Sequence, residues 1–294
     1  MRIVMTGATS GLGEETARRL LARDDVTLTI GSRSGAGDLP ESDRLTVLPL
    51  DMARLADVET FCERVGEKEP IDALVLNAGL QLSKPATSPD GIELTFAVNH
   101  LAHFLMIEQL RGRLAEGARV VLTASGTHDP KEKAPVTPPD HANVDWLAYP
   151  DRDPQLPKGT RQRVMRAYST SKLCNILTAH ELARRHPEVA TLAFDPGYVP
   201  GTGLAREYPR WLMAIVSRII VHSMAKDRTS TVPVSGGYLA ELAVDPRHAD
   251  AAGEYWSVRG TDLLKVEPST LARDDDAARK LWNDSAALLA ALRT

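Results

Sequence analysis

Strand-like and helix-like segments alternate through the first two thirds of the chain, and this alternation constrains the fold more than any other feature. Short apolar runs rich in β-branched residues alternate with stretches that space apolar side chains as a helix does. The strand-like runs are Arg2–Thr6, Val26–Gly31, Leu45–Leu50, Ile71–Leu76, Arg119–Thr123 and Val189–Phe194. The helix-like stretches include Val58–Val65, Gly91–Leu114 and Val164–Arg185. The pattern predicts βαβ units with right-handed crossovers, and therefore an α/β fold with a doubly wound parallel sheet and helices on both faces.

No shift of composition along the 294 residues marks a second domain. A single α/β domain can reach this length, so we expect one domain over residues 1–294. One segment interrupts the alternation: residues 126–163 hold seven of the 19 prolines and are expected to form a long Pro-rich loop. A loop of this length in a compact domain is usually functional or mobile.

Charge and cysteine content exclude several classes of protein. Lys plus Arg is 35 and Asp plus Glu is 39, which gives a formal net charge of −4 and no electrostatic footprint for nucleic acid. The two cysteines, Cys62 and Cys174, are too few for a metal cluster or a disulfide framework, and we expect no metal site. The first residues lack the apolar segment of a signal peptide, and no run of 18 apolar residues occurs. We therefore expect a cytoplasmic protein without a transmembrane segment.

A glycine-rich segment, Thr6-Gly7-Ala8-Thr9-Ser10-Gly11-Leu12-Gly13, lies between the first strand and the first helix. Glycines there permit a tight turn and let a pyrophosphate approach the backbone, while the helix N-terminus supplies N–H donors. The spacing is G-x-x-x-G-x-G rather than the G-x-G-x-x-G of the dinucleotide fingerprint. From this segment alone, nucleotide binding in a Rossmann fold and a plain glycine-rich turn both remain open.

The end of the second strand, Ile30-Gly31-Ser32-Arg33-Ser34, has no acidic residue to bind the two adenosine ribose hydroxyls of NAD(H). Arg33 offers a planar fork suited to a 2′-phosphate, with Ser32 as a helper, and this favours NADP(H). The alternative is an exposed loop arginine. Asp51 ends the third strand and also has two interpretations, as an acceptor for adenine or as a cap for the following helix.

Tyr168 and Lys172 lie four residues apart in a helix-like stretch, so the phenol and the ammonium share one face. A nearby cation favours phenolate and is expected to lower the tyrosine pKa, which suits proton exchange with a carbonyl oxygen near neutral pH. The Y-x-x-x-K spacing by itself is weak evidence. It gains weight because Ser125 follows a strand, Asn99 lies in a helix, and Asn77-Ala78-Gly79 follows another strand.

These motifs together resemble the short-chain dehydrogenase/reductase family over about the first 200 residues, with weaker similarity to the end. The family's T-G-x-x-x-G-x-G matches Thr6–Gly13 and its N-A-G matches Asn77–Gly79. Its P-G…T motif matches Pro196-Gly197 and Thr202. The resemblance implies a Rossmann fold that binds NADP(H) through the residues Gly7, Thr9, Ser10, Gly11, Leu12, Gly13, Ser32, Arg33, Asp51, Met52, Asn77, Ala78, Gly79, Tyr168, Lys172, Pro196, Gly197, Val199 and Thr202.

The resemblance also implies catalytic roles. Tyr168 would be the acid/base, and Ser125 would polarise the substrate oxygen. Lys172 would lower the tyrosine pKa and hold the nicotinamide ribose, and Asn99 would place a relay water. The expected reaction is hydride transfer between the nicotinamide of NADP(H) and a carbonyl/alcohol carbon of a small-molecule substrate.

A closer likeness is to light-dependent protochlorophyllide reductases and retinol-dehydrogenase-like members. It is carried by Asn99–Phe104, Ser171–Asn175, Thr202–Glu207 and Gly253–Ser257. One departure matters: those photoenzymes have a cysteine after the P-G pair, and this chain has Tyr198. The likeness leaves open a second reaction, reduction of a conjugated C=C bond. A non-catalytic NADP(H)-binding module is the alternative outside enzymes, and the intact catalytic set argues against it.

The residues from about 203 to 235 follow the P-G…T motif, where the family has a substrate lid. The stretch Trp211–Met224 is largely apolar, which predicts a lid that closes over a bulky lipophilic substrate. The same stretch is also compatible with an oligomer contact in a homo-oligomer, or with a helix lying on a membrane surface.

Overall fold

A computed structural model of the chain describes residues 1–67, 69–200 and 228–293. Its centre is a single sheet in the strand order β3-β2-β1-β4-β5-β6-β7-β8, in which neighbouring strands are parallel except for the antiparallel pair β7 and β8. The strands are β1 (Arg2–Thr6), β2 (Thr27–Ser32), β3 (Leu45–Pro49), β4 (Ile71–Leu76), β5 (Leu114–Thr123), β6 (Ala190–Asp195), β7 (Ala252–Arg259) and β8 (Asp262–Lys265). The predicted doubly wound parallel sheet is confirmed.

Helices cover both faces of this sheet. They are α1 (Gly11–Leu21), α2 (Leu55–Gly66), α3 (Leu94–Phe96), α4 (Ala102–Leu110), α5 (Val144–Ala148), α6 (Thr160–Arg185), α7 (Val232–Val244) and α8 (Asp275–Leu292). Adjacent residues of β5 belong to different cores, because successive side chains of a strand point to opposite faces. Val120 packs in the core under α2, α4 and α6, and Val121 packs in the core under α1 and α7.

The long helix predicted over Gly91–Leu114 is wrong at both ends and in the middle. It begins at Leu94, passes through a π-helical stretch at Ala97–Leu101 and ends at Leu110. Leu114 already belongs to β5. The apolar spacing predicted a helix correctly, but it does not reveal a π-helical stretch, which is typical of functional sites.

The Pro-rich loop of residues 126–163 contains short helical turns and the helix α5, and its last residues begin α6. Two side chains of α6 fasten it. Arg166 donates to the carboxylates of Asp140, at 3.0 Å, and Asp153. The Ser169 hydroxyl donates to the carbonyl oxygen of Thr137 at 2.6 Å. The loop is therefore fixed to the same helix that carries Tyr168.

Most of the expected lid, residues 203–227 with Trp211–Met224, lies outside the described residues, as does Thr202. Its expected last residues, 232–235, form the first turn of α7, and Ser235 donates to the carbonyl oxygen of Pro196 at 2.7 Å. That turn belongs to the framework of the fold. Among the described residues, no helix is both long enough and apolar enough to cross a membrane.

Candidate active site

The glycine-rich turn after β1 excludes side chains by its close packing. Gly7 and Gly11 have φ angles of +66° and +56°, a region that favours glycine. A Cβ atom at Gly13 would lie 1.9 Å from the carbonyl oxygen of Gly7, so the turn meets α1 through backbone alone. α1 begins directly after Ser10 and presents its first N–H groups at this turn. An N-terminus of this kind suits a phosphate group.

Asn77 fastens the glycine-rich turn to the neighbouring strands. Its Nδ2 donates to the carbonyl oxygen of Gly7 at 3.1 Å, and its Oδ1 accepts from the Thr123 hydroxyl at 3.1 Å. The Thr6 hydroxyl accepts from the backbone N–H groups of Asn77 and Ala78, both at 3.0 Å. The carboxyl ends of β1, β4 and β5 are therefore joined by side-chain hydrogen bonds.

The residues expected at the adenosine end lie after β2 and β3. Ser32 ends β2, and its hydroxyl accepts from the N–H of Ser34 at 3.2 Å. Arg33 is exposed, and within the described ranges it has neither a hydrogen bond nor an ion pair. Asp51 accepts the N–H of Ala53 at 3.1 Å, so it stabilises the turn before α2 rather than capping the helix. Met52 is buried in the core.

Ser125, Tyr168 and Lys172 converge at the carboxyl end of β5. The Ser125 hydroxyl accepts from the N–H of Thr127 at 3.3 Å. It lies close enough to the Tyr168 phenol to act on its pKa. The Nζ atom of Lys172 lies 5.8 Å from the centroid of the Tyr168 ring. Tyr168 is 6% exposed and Lys172 is 2% exposed, so both act in a largely water-free site.

The protonation of this pair differs from the sequence-based expectation. Burial raises the pKa of the Tyr168 phenol, Ser125 opposes that shift, and Asp195 adds to it. Burial also lowers the pKa of Lys172 to about 8, although Asp195 acts in the opposite direction. The net shift of the Tyr168 pKa is upward, opposite to the expected lowering, because burial of the phenol is the largest contribution. Tyr168 is therefore a protonated acid near neutral pH.

Asn99 lies in the π-helical stretch and is fully buried. Its Oδ1 accepts from the N–H of Leu80 at 2.8 Å, and its Nδ2 donates to the carbonyl oxygen of Leu80 at 2.9 Å. The same Nδ2 donates to the Ser171 hydroxyl at 3.0 Å. Asn99 therefore joins the segment after β4 to α6, one residue before Lys172.

The segment after β6 is held by close backbone packing and by Asp195. Gly197 has a φ of +70°, and a Cβ there would lie 2.9 Å from the carbonyl oxygen of Val258. The N–H of Gly197 donates to the Asp195 carboxylate at 3.0 Å. Val199 is buried.

Comparison with known proteins identifies the family. A family model described as short chain dehydrogenase matches residues 1–134. A Streptomyces sp. (strain C5) protein named "Putative daunorubicin C-13 ketoreductase DnrU" is 34% identical over 302 residues, which cover 97% of this chain and 91% of that protein. The chain belongs to the short-chain dehydrogenase family. It is therefore an oxidoreductase, and the resemblance of its motifs is confirmed.

Other short-chain dehydrogenases are similar over nearly the whole chain. Chloroplastic protochlorophyllide reductase B of Hordeum vulgare is 29% identical over 316 residues, covering 97% of this chain and 78% of that protein. A solved short chain dehydrogenase from Burkholderia cenocepacia J2315, in complex with NADP, has a TM-score of 0.62 at 21% identity, covering 88% of this chain and 96% of that one. At that identity the likeness concerns the fold.

Asp195 is a residue of this short-chain dehydrogenase site that the sequence analysis missed. It ends β6 and is 2% exposed, and its carboxylate accepts from the Ser257 hydroxyl at 2.8 Å. It raises the pKa of both Tyr168 and Lys172. Its position at the carboxyl end of a strand, directly before Pro196-Gly197, is the signal that could have found it.

The histidines near the site are engaged in hydrogen bonds of the fold. His128 pairs with the carbonyl oxygen of Ser125 at 2.7 Å and accepts from the N–H of Ser269 at 3.1 Å. Across the described ranges, no group of three or more His, Cys, Asp or Glu residues is arranged to hold a metal ion.

Proposed function

We propose that this short-chain dehydrogenase is an NADP(H)-dependent enzyme that interconverts a carbonyl and an alcohol on a bulky apolar small molecule. The observation that carries the proposal is the convergence of Ser125, Tyr168 and Lys172 at the carboxyl end of β5. Lys172 Nζ lies 5.8 Å from the centroid of the Tyr168 ring and donates to the carbonyl oxygen of Thr123, two residues before Ser125. Two hydroxyl groups that converge in this way can both donate to one substrate oxygen. Such preorganised donors stabilise charge that develops on that oxygen.

The residues at the nucleotide end fit NADP(H). The glycine-rich turn leaves no room for side chains at Gly13, which suits close approach of a pyrophosphate to the backbone. Arg33 is an exposed guanidinium without a partner in the part of the chain that the structure describes, and it suits the 2′-phosphate. When bound, NADP(H) supplies or accepts the hydride.

The protein's own groups handle the proton. In reduction Tyr168 donates its phenolic proton to the substrate oxygen, and in oxidation it takes a proton back. Ser125 donates a hydrogen bond to the same oxygen, and the ammonium of Lys172 stabilises the phenolate left on Tyr168.

A bulky, lipophilic substrate is the finer part of the proposal. It is supported by the apolar sequence of Trp211–Met224 and by a relative whose name refers to a ketone of daunorubicin. A cytoplasmic location and a homo-oligomeric state stay predictions, as does the placement of one domain over residues 1–294.

The direct test is oxidation of NADPH by the purified chain with a graded panel of ketones. The panel contains small ketones, bulky apolar ketones and sugar-like ketones, each with and without the protein. We expect turnover to be fastest with the bulky apolar ketones and to disappear in Tyr168→Phe. Equal rates for sugar-like and apolar ketones would contradict the apolar substrate, and an absence of NADPH oxidation with all ketones would contradict carbonyl reduction.

Reduction of a conjugated C=C bond is the second candidate, because protochlorophyllide reductases are among the relatives. Enones distinguish the two reactions, since carbonyl reduction yields an allylic alcohol and C=C reduction yields a saturated ketone. We expect the allylic alcohol, and we expect the reaction to proceed in darkness because Tyr198 replaces the cysteine of the photoenzymes. A saturated ketone, or turnover only under illumination, would favour the second candidate.

A further inference from the structure

His103 is a buried histidine with two hydrogen bonds to different parts of the site. It lies in α4, two residues after the π-helical stretch, and it is 1% exposed. Its Nε2 lies 3.0 Å from the Thr6 hydroxyl, and its Nδ1 lies 3.2 Å from the carbonyl oxygen of Asn99. The catalytic roles described above do not use this ring.

The hydrogen bonds around Thr6 fix the tautomer of His103. The Thr6 hydroxyl accepts from the N–H groups of Asn77 and Ala78, which occupies both of its lone pairs. Its one proton must then be donated to Nε2 of His103. An imidazole that accepts at Nε2 is neutral and has its proton on Nδ1, which donates to the Asn99 carbonyl oxygen.

The side chain of Asn99 continues the connection to the catalytic helix. Asn99 donates from Nδ2 to the Ser171 hydroxyl at 3.0 Å, and Ser171 donates to the carbonyl oxygen of Tyr168 at 2.7 Å. The orientation of the Asn99 amide is fixed independently by its two bonds to the backbone of Leu80. Two pairs of hydrogen bonds meet at Asn99: Thr6 to His103 to the Asn99 carbonyl oxygen, and the Asn99 amide to Ser171 to the Tyr168 carbonyl oxygen. Together they connect the end of β1 to the backbone of Tyr168.

We propose that His103 is a positioning residue whose neutral ring couples the nucleotide-binding turn to the catalytic helix through the chain Thr6–His103–Asn99–Ser171–Tyr168. The expected effects on cofactor affinity and turnover rest on the proposed binding of NADP(H) at that turn. The chain aligns α6 with Thr6, the first residue of the turn that receives the cofactor. It therefore acts on cofactor affinity and on turnover together.

A neutral ring matters at this position because Lys172 is close enough for its charge to act on His103. Burial, with a smaller contribution from Lys172, lowers the pKa of His103 to about 3, although the hydrogen bond to Asn99 acts in the opposite direction. A protonated ring would break the bond from Thr6 and would repel the ammonium of Lys172. The locked tautomer provides the hydrogen bonds without a second positive charge beside the catalytic pair.

The tautomer can be measured directly by long-range ¹⁵N–¹H NMR of the histidine rings in the intact chain. The signals of His103 are assigned by their loss in His103→Phe. We expect a neutral Nδ1–H ring that does not titrate between about pH 5 and pH 8. An Nε2–H tautomer, or a titration in that range, would overturn the proposal.

A double-mutant cycle measures the coupling. Thr6→Val and His103→Phe each remove a link while keeping the bulk. His103→Phe is expected to weaken NADPH binding and to lower kcat at saturating NADPH by at least roughly three- to tenfold, the range for one lost hydrogen bond. Thr6→Val is expected to lose more, because it also removes the acceptor of the Asn77 and Ala78 N–H groups. The double variant is expected to be no worse than the more damaged single variant, because both remove one chain. His103→Gln, whose amide can still accept from Thr6, is expected to recover part of the loss.

His100→Phe is the matched control. His100 is also 1% exposed, lies next to Asn99 and is bonded to the Ser285 hydroxyl, outside the chain. We expect it to lower Tm. NADPH affinity and kcat should stay within about twofold of those of the unmutated chain. The proposal would be overturned if the losses in affinity and kcat of the Thr6 and His103 variants multiplied in the double variant. It would also be overturned if His103→Phe lowered Tm but left affinity and kcat unchanged. If the unmutated chain reduces no carbonyl, the proposed function fails, and the tautomer and the NADPH affinities still decide the role of His103.

Discussion

Lys172 donates a hydrogen bond from Nζ to the carbonyl oxygen of Thr123 at 3.0 Å, and this bond holds its ammonium at the carboxyl end of β5. Asn175 donates to the same oxygen at 3.0 Å, one helical turn further along α6. The Thr123 hydroxyl donates to Asn77. Thr123 thus connects the catalytic helix with the carboxyl end of β4, where Asn77 holds the glycine-rich turn.

Replacing that charge tests its role. Lys172→Met keeps most of the bulk, and we expect kcat to fall by roughly 10²-fold because a preorganised charge beside the reacting groups is lost. NADPH binding should weaken as well, since Lys172 is expected to hold the nicotinamide ribose. Steady-state kinetics and fluorescence titration with NADPH measure the two effects. Lys280→Met, at an exposed lysine of α8, is the control and should change neither value.

Cofactor choice depends on Arg33 in this account. Arg33→Ala should weaken NADPH binding by roughly ten- to a hundredfold, the range for hydrogen bonds to a charged group. NADH binding should hardly change, because NADH has no 2′-phosphate. Titration of both cofactors against the variant, with the exposed Arg23→Ala as control, measures the difference. Equal affinity of the unmutated chain for NADPH and NADH would rule out this role.

The Asp195 carboxylate should set the pH range of the reaction. Reduction uses the protonated phenol of Tyr168 and the ammonium of Lys172, so the rate first falls as pH rises through the pKa of Lys172, about 8. Asp195 raises the pKa of Tyr168 and of Lys172. Asp195→Asn removes the negative charge, which lowers both pKa values and moves the alkaline limb of the pH–rate profile to lower pH.

Ser257→Ala is the control for this shift, because it removes the hydroxyl bonded to Asp195 but keeps the carboxylate. Its alkaline limb should stay close to that of the unmutated chain. An alkaline limb that moves to higher pH in Asp195→Asn would contradict the assigned electrostatic effect.

The Pro-rich loop should depend on Arg166 for its stability. Arg166 is 7% exposed and pairs with Asp153, whose side chain is 1% exposed. Arg166→Met leaves that carboxylate buried without its cation, and the expected loss is about 3–5 kcal/mol of unfolding free energy. Chemical denaturation measures it. Arg279→Met removes an exposed pair with Asp276 and should cost about 1 kcal/mol or less. Equal losses in the two variants would contradict the anchoring role.

Local sequence patterns predicted the framework of the fold well. β1 and β4 begin and end at the predicted residues, because both are short β-rich runs that are buried on two faces. The tight turn after β1 was also predicted correctly, because glycine is the residue that fits where the backbone packs so closely. The π-helical stretch at Asn99 was not, because its apolar residues have ordinary helical spacing.

The properties that depend on tertiary structure could not be read from the sequence. The direction of the Tyr168 pKa shift follows from burial, which the four-residue spacing to Lys172 does not reveal. The partner of Asp195 is 62 residues away, and the bond between His103 and Thr6 spans 97 residues. No local motif connects residues so far apart, and for the same reason the sequence did not show that Arg166 anchors the Pro-rich loop.

The role of Tyr168 as proton donor is tested by the rate of NADPH-dependent ketone reduction by Tyr168→Phe, measured together with its affinity for NADPH. The variant keeps the ring and loses only the hydroxyl that donates the proton. We expect the rate to fall by about 10²–10⁴-fold or more, as is typical when a general acid is lost, while the Kd for NADPH stays close to that of the unmutated chain. A Tyr168→Phe variant that turns over within a fewfold of the unmutated rate would contradict the account.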